Sequence, residues 1–98
     1  MPAILDLIPT GAENAITRAE LAAKAGMSDR RTREAVQKAR DAGALILNGQ
    51  DGAGYYVATA DDLDAIERQY RQDTSRALSI LRRRKAMRTL LKAAGRAV

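Results

Sequence analysis

The chain has 98 residues, enough for one small domain but near the size below which a single hydrophobic core is no longer sufficient. It has no cysteine and no histidine, which excludes disulfides, thiolate nucleophiles, imidazole bases and the usual zinc sites, so we expect neither an enzyme nor a bound cofactor. The net charge of +5 is uneven, because residues 1–75 carry nine basic and twelve acidic residues, whereas residues 76–98 carry eight basic residues and no acidic one.

The distribution of apolar residues argues against a membrane protein. No stretch is apolar over the roughly 18 residues that a membrane span requires. The first nine residues also lack the basic start of a signal peptide. We therefore expect a cytoplasmic protein with no membrane partner.

The first elements are short. Residues 3–8 form an apolar run that predicts a short helix, stopped by Pro9 and followed by a polar loop over residues 10–14. Ala15 and Ile16 then predict a very short strand, which we expect to pair with a later hairpin.

Two capped helices follow in close succession. Thr17 and Glu20 have the spacing of a capping box, and Gly26 predicts the end of the first helix. Ser28 is a good N-cap for a second helix of about four turns, which Gly43 is expected to end. The two segments predict a helix, a tight turn and a second helix.

The second helix, residues 28–43, is predicted to have two distinct faces. At about 100° per residue, Thr32, Val36 and Ala39 fall on one narrow face, which we expect to join the core. The opposite face and its flanks carry charged and amide side chains, namely Arg30, Arg31, Arg33, Glu34, Gln37, Lys38 and Asp41. This distribution predicts a core-packed helix with a largely basic outer surface.

A β-hairpin is predicted next. Residues 45–47 and 55–58 read as strands, joined by a glycine-rich turn over residues 48–54. Alternation places Ile46 with Tyr55 and Val57 on one face and Tyr56 on the other, so we expect one of the two tyrosines in the core and the other on the hairpin surface. A helix-turn-helix followed by a hairpin is the winged-helix arrangement.

The last predicted element is a long helix. Thr59 and Asp62 form a second capping pair, and residues 60–94 contain neither glycine nor proline. A heptad-like apolar stripe predicts a homodimer interface, formed by Leu63, Ile66, Tyr70, Ala77, Leu81 and Leu91. The acidic start and basic end of the helix favour antiparallel pairing of two copies over parallel pairing, and packing of each helix on the partner's winged-helix body is the alternative.

A basic cluster lies in this helix, formed by Arg82, Arg83, Arg84 and Lys85. Three interpretations stay open for it: a solubilising helix end that complements the helix dipole, a contact with nucleic-acid phosphates, and a docking surface for an acidic protein.

The chain resembles a known family over residues 3–60. The resemblance is carried by Ile16-Thr17, Glu20-Leu21-Ala22, Gly26-Met27-Ser28, Arg30, Arg33, Val36, Arg40, Gly43, Ile46 and Gly54-Tyr55-Tyr56. These residues are similar to those of the small winged-helix DNA-binding proteins of bacteriophages and prophages. The resemblance implies a mainly α fold with a small hairpin: a winged helix-turn-helix domain over residues 1–59, then a long helix over residues 60–98. Two features differ from the family: the lighter core residues Thr32 and Ala39, and a hairpin with no Lys or Arg.

The fold and the basic helix face together predict sequence-specific binding of double-stranded DNA, and the resemblance implies a role as a phage or prophage transcriptional regulator or replication accessory protein. The second helix of a helix-turn-helix fits the major groove, where arginine and glutamine bind guanine and adenine edges. The predicted DNA-contacting residues are Thr17, Ser28, Arg30, Arg31, Arg33, Gln37 and Lys38. The alternative function is a protein-interaction module that binds an acidic host or phage protein through Arg82–Lys85.

Overall fold

The computed structural model describes residues 3–98, and this part of the chain is mainly helical with one small antiparallel sheet. Its regular elements are α1 (Arg18–Ala25), α2 (Asp29–Asp41), β1 (Ile46–Asn48), β2 (Tyr55–Val57) and α3 (Leu63–Ala93). The chain divides into two compact units, Met1–Ile66 and Glu67–Val98. The long C-terminal helix and the hairpin both agree with the sequence prediction.

The ends of α1 and α2 form as the local sequence predicts. The Thr17 hydroxyl accepts a hydrogen bond from the backbone N–H of Glu20 at 3.2 Å, and the Glu20 carboxylate accepts one from the backbone N–H of Thr17 at 3.3 Å. Gly26 ends α1 with a φ of 65°, a conformation that glycine adopts without steric cost. Ser28 then caps α2 by accepting from the N–H of Arg31 at 3.2 Å. Both capping predictions are confirmed.

The main core of the first unit lies where α1 and α2 meet the hairpin. Its fully buried side chains are Leu21, Val36 and Thr32. The buried hydroxyl of Thr32 donates to the backbone oxygen of Ser28 at 2.8 Å, so its polar atom is satisfied. Other members of this cluster are Ile8, Ile16, Ile46 and Tyr55, with Ala39 partly buried against it. The predicted core face of α2 is therefore confirmed.

The hairpin pairs β1 with β2, and Ile16 extends the pairing by one bridge. Ile46 lies opposite Val57 and Asn48 opposite Tyr55. Ile16 and Tyr55 exchange two backbone hydrogen bonds, at 2.9 Å and 2.7 Å. This exchange confirms the prediction that residues 15–16 pair with the hairpin.

Both tyrosines of β2 are buried, so the prediction that one of them lies on the hairpin surface is wrong, most clearly for Tyr56. Its side chain is only 3% exposed and packs with Leu47 and Ala58 in a second buried cluster. Ala65 and Ile66, in the first turn of α3, pack against this cluster and cover the second face of the hairpin. Alternation along the strand correctly places Tyr55 and Tyr56 on opposite faces of the sheet, but other elements cover both faces.

The first predicted helix is instead a single 3₁₀ turn, Ile4–Leu7. Ile8 is extended, with φ −97° and ψ 122°, because a residue that precedes proline is disfavoured in the α conformation. The Pro9 carbonyl then accepts a hydrogen bond from the N–H of Val57 at 2.8 Å. This segment therefore joins the far edge of β2, a pairing that the sequence does not predict.

The long helix also begins later than predicted. Ala60–Asp62 form a 3₁₀ turn, capped by the Asp62 carboxylate, which accepts from the N–H of Thr59 at 2.8 Å. The α-helical geometry starts at Leu63 and ends at Ala93. Side chains of residues 71–98 are all exposed.

Candidate nucleic-acid interface

The outer face of α2 carries every predicted base-contacting side chain. Because the opposite face packs in the core, these side chains point away from the body of the first unit. Arg30 is 84% exposed and Arg33 is 58% exposed. The other members, Arg31, Gln37 and Lys38, are exposed as well. The helix thus holds four cations and one amide on a single accessible surface, which we call the α2 face (Arg30, Arg31, Arg33, Gln37 and Lys38).

Acidic side chains engage part of the α2 face. Arg30 Nε lies 3.1 Å from Glu34 Oε1, and Gln37 Nε2 donates to Asp41 Oδ1 at 3.0 Å. Exposed pairs of this kind contribute only about 0.3–0.5 kcal/mol, so a phosphate or a base edge can replace them at low cost. Among residues 3–98, neither Arg31 nor Lys38 forms an ion pair.

One carboxylate joins the N-termini of the two helices. Asp29 Oδ1 accepts a hydrogen bond from Arg18 Nε, and Asp29 Oδ2 lies 3.3 Å from Arg33 Nε. The hydrogen bond with Asp29, and then a contact with the Tyr55 hydroxyl, raise the pKa of the Arg18 guanidinium above its usual value. Arg18 is therefore charged at every physiological pH.

The capping residues Thr17 and Ser28 lie at the first turns of α1 and α2, but their hydroxyls are already used. Both accept backbone hydrogen bonds, and Thr17 Oγ1 also donates to Glu20 Oε1 at 2.8 Å. The hydrogen bonds that the Thr17 hydroxyl and the Thr17 backbone N–H donate to the Glu20 carboxylate lower the pKa of Glu20. Thr17 and Ser28 would therefore assist a ligand mainly by fixing the orientation of the N-termini of α1 and α2.

Two further arginines border the α2 face, and sequence reasoning did not select them as site residues. Arg40 Nε donates to the backbone oxygen of Ile46 at 2.9 Å, and its guanidinium lies 5.6 Å from the centre of the Tyr55 ring. Arg18, from α1, lines the same groove as Tyr55 and is close to its hydroxyl. One signal was present for Arg40: it follows Arg33 by seven residues and so falls on the same side of α2.

The predicted dimer residues lie along α3, and most have large exposed fractions. Leu63 is 65% exposed, Tyr70 70%, Leu81 51% and Leu91 38%. Ala77 is exposed too, whereas Ile66 is partly buried against the second hairpin cluster. The basic cluster, Arg82–Lys85, is exposed on all four side chains.

Comparisons of the chain with protein-family models, with curated proteins and with solved structures give no significant match. Within residues 3–98, every helix is either too short or too polar to cross a membrane.

Proposed function

We propose that this protein binds double-stranded DNA in a sequence-dependent manner, as a phage or prophage regulator or replication accessory protein. In this proposal, residues 1–59 form a winged helix-turn-helix domain and α2 is its recognition helix. The order of α1, a short turn, α2 and a hairpin supports the proposal, as does the residue pattern shared with small phage winged-helix proteins.

The proposal rests on one observation: α2 has a buried face on one side and a basic face on the other. Thr32 and Val36 anchor the helix in the core, so the α2 face is held on a rigid element. Arginine and glutamine bind guanine and adenine edges with two hydrogen bonds each, and lysine binds phosphates. Glu34, between these cations, can accept from the amino group of cytosine.

A salt titration tests the proposal. The binding constant for random duplex DNA is expected to fall linearly with the logarithm of salt concentration, with a slope of about −0.9 for each phosphate contacted. Enrichment of preferred sequences from a random pool then measures specificity. A protein that shows no salt-dependent duplex binding would contradict the proposal.

A double substitution tests the role of α2. Replacing Arg30 and Arg33 with alanine should cost about 1–3 kcal/mol for each base contact and relax the sequence preference. The matched control replaces Arg68 and Arg71, two exposed arginines of α3, and changes the net charge equally. If both double variants bind the preferred sequence alike, α2 is not the recognition helix.

We further propose that the protein is a homodimer held by α3. The exposed leucine and tyrosine side chains of this helix support the proposal, because large apolar patches usually mark association surfaces. An antiparallel arrangement would bring the basic cluster near the acidic residues at the start of the helix. A two-fold dimer would bind a palindromic site whose half-sites are about one or more helical turns apart.

Sedimentation of two full-length variants tests the dimer. Leu81→Glu places a charge on the apolar stripe and should shift the protein towards monomer. Ser75→Glu adds the same charge to an exposed position off the stripe and should leave the mass unchanged. A wild-type protein that stays monomeric at high micromolar concentration would rule out the dimer.

A second function, docking to an acidic protein surface, is supported by the charge of residues 76–98, which contain eight basic residues and no acidic one. Replacing Arg82, Arg83, Arg84 and Lys85 with alanine separates the two roles. A smaller salt slope for duplex DNA would assign the cluster to phosphate contact, whereas an unchanged slope would favour the protein-docking function.

A further inference from the structure

A polar groove lies beside the α2 face, within the first unit. It has a volume of about 390 Å³ and is lined by Arg18, Arg40, Asn48, Tyr55 and three glycines of the hairpin turn. None of the described residues that line it is acidic. The groove therefore brings together two guanidinium groups, one side-chain amide and the backbone of three glycines.

Arg40 keeps hydrogen-bonding capacity for a ligand. Arg40 Nε donates to the Ile46 carbonyl, and Arg40 Nη2 donates to Asn48 Oδ1 at 3.3 Å. A guanidinium has five N–H donors, so these two bonds leave three. Both partners are uncharged, so no ion pair in the described part of the chain neutralises Arg40.

Asn48 is oriented by the same contact. Its side-chain oxygen accepts from Arg40, so its NH₂ group is left with two donors for a bound anion. Gly52, in the same turn, has no side chain and open space around it, which lets a ligand approach the backbone closely. The hairpin thus offers neutral donors, and α1 and α2 supply the charge.

The groove is continuous with the α2 face. Arg33, Gln37 and Arg40 follow one another at spacings of four and three residues, so they form one edge of α2. Asp29 contacts both Arg18, which lines the groove, and Arg33, which belongs to the α2 face. Two arginines, one from each surface, therefore share this single carboxylate at the junction.

We propose that the groove binds a phosphate of the DNA backbone next to the bases contacted by α2, with Arg18 and Arg40 as its cations and Asn48 as a neutral donor. This inference rests on the proposed DNA-binding function. Arginine favours phosphate because its planar fork can donate two parallel hydrogen bonds to the phosphate oxygens. A hairpin without Lys or Arg can then anchor the duplex through arginines of the neighbouring helices.

The test uses full-length variants that place a negative charge in or near the groove. Asn48→Asp is nearly isosteric and sets a carboxylate beside Arg40. We expect it to weaken duplex binding by about three- to tenfold and to reduce the salt slope by about 0.9, the loss of one phosphate contact. Gln50→Glu is the matched control, because Gln50 is exposed in the same turn but does not line the groove. It should keep the wild-type slope.

A second variant, at Arg18, removes a cation of the groove and leaves the hairpin sequence unchanged. Arg18→Gln should give a similar loss of slope, and melting curves of each variant check that the fold is intact. Suppose that the wild type binds duplex DNA with a normal slope, but Asn48→Asp and Arg18→Gln both behave like Gln50→Glu. This result would overturn the groove proposal and leave the proposed function standing. Absence of duplex binding by the wild type would overturn the proposed function itself.

The source of the phosphate is decided by NMR of the Asn48 side-chain amide at constant ionic strength. A shift on addition of duplex DNA, with none on addition of millimolar inorganic phosphate, supports a backbone contact. A shift with inorganic phosphate and none with duplex would assign the groove to a free anion and overturn the proposal.

Discussion

The carboxylate of Asp29, in the first turn of α2, accepts a hydrogen bond from the guanidinium of Arg18, in the first turn of α1. Its second oxygen lies 3.3 Å from Nε of Arg33. A negative charge is therefore held within the most basic region of the first unit, where it would repel DNA phosphates and compete for two of the arginines.

Asp29→Asn should strengthen duplex binding by about three- to tenfold, because it removes this repulsion and releases Arg18 and Arg33 from two weak, exposed ion pairs. The measurement is a titration at fixed salt. Asp64→Asn, which removes an aspartate from the first turn of α3, is the control and should leave the affinity unchanged. Equal affinities for both variants would show that Asp29 does not face the DNA.

Gly54 should tolerate no side chain. Its φ is 103°, and a Cβ atom there would overlap the backbone carbonyl of Ile16, which is hydrogen-bonded to Tyr55. We expect Gly54→Ala to abolish the bridge and to lower stability well beyond the roughly 1–3 kcal/mol of backbone strain alone. Gly52→Ala is the matched control, since Gly52 also has a positive φ, of 75°, but open space around it. Chemical denaturation measures both.

Glu20 should make folding stability depend on pH. Hydrogen bonds from the side chain and the backbone of Thr17 lower its pKa in the folded protein. The ionised carboxylate therefore adds stability above the ordinary glutamate pKa of about 4.3, and this contribution is lost as pH falls through the lowered value. Glu20→Gln should show a smaller drop in melting temperature than the wild type between about pH 7 and about pH 3. Thr17→Ala removes the hydroxyl donor but keeps the backbone N–H donor, so its pH dependence should lie between those of the wild type and Glu20→Gln. A wild-type drop retained in both variants would contradict this role.

Ala39 should accept a larger side chain. It is only partly buried and packs at the edge of the main core. Ala39→Leu should stabilise the protein by about 1 kcal/mol through added apolar burial. For a domain of this size, that corresponds to a rise of about 4–8 °C in melting temperature. Ala23→Leu, at an exposed position of α1, is the control and should change little. A lower melting temperature for Ala39→Leu would show that the site is already filled.

The local features of this protein are determined by its sequence alone. Helical segments begin at capping residues that the sequence identifies: Thr17 with Glu20, Ser28, and Thr59 with Asp62. Gly26 marks the end of α1. The sequence predicts these positions because the capping hydrogen bonds join residues only a few positions apart. The division of α2 into a core face and a basic face follows in the same way from the helical period.

The tertiary structure alone decided which surfaces are covered and which distant side chains meet. Tyr56 is buried because the start of α3 packs over the second face of the hairpin, and alternation along a strand identifies faces without telling what covers them. Arg18 lines one groove with Arg40 and Asn48, although both of these residues lie more than 20 positions later in the chain. Such contacts depend on how the loops between the elements close, and no local pattern of residues encodes that closure.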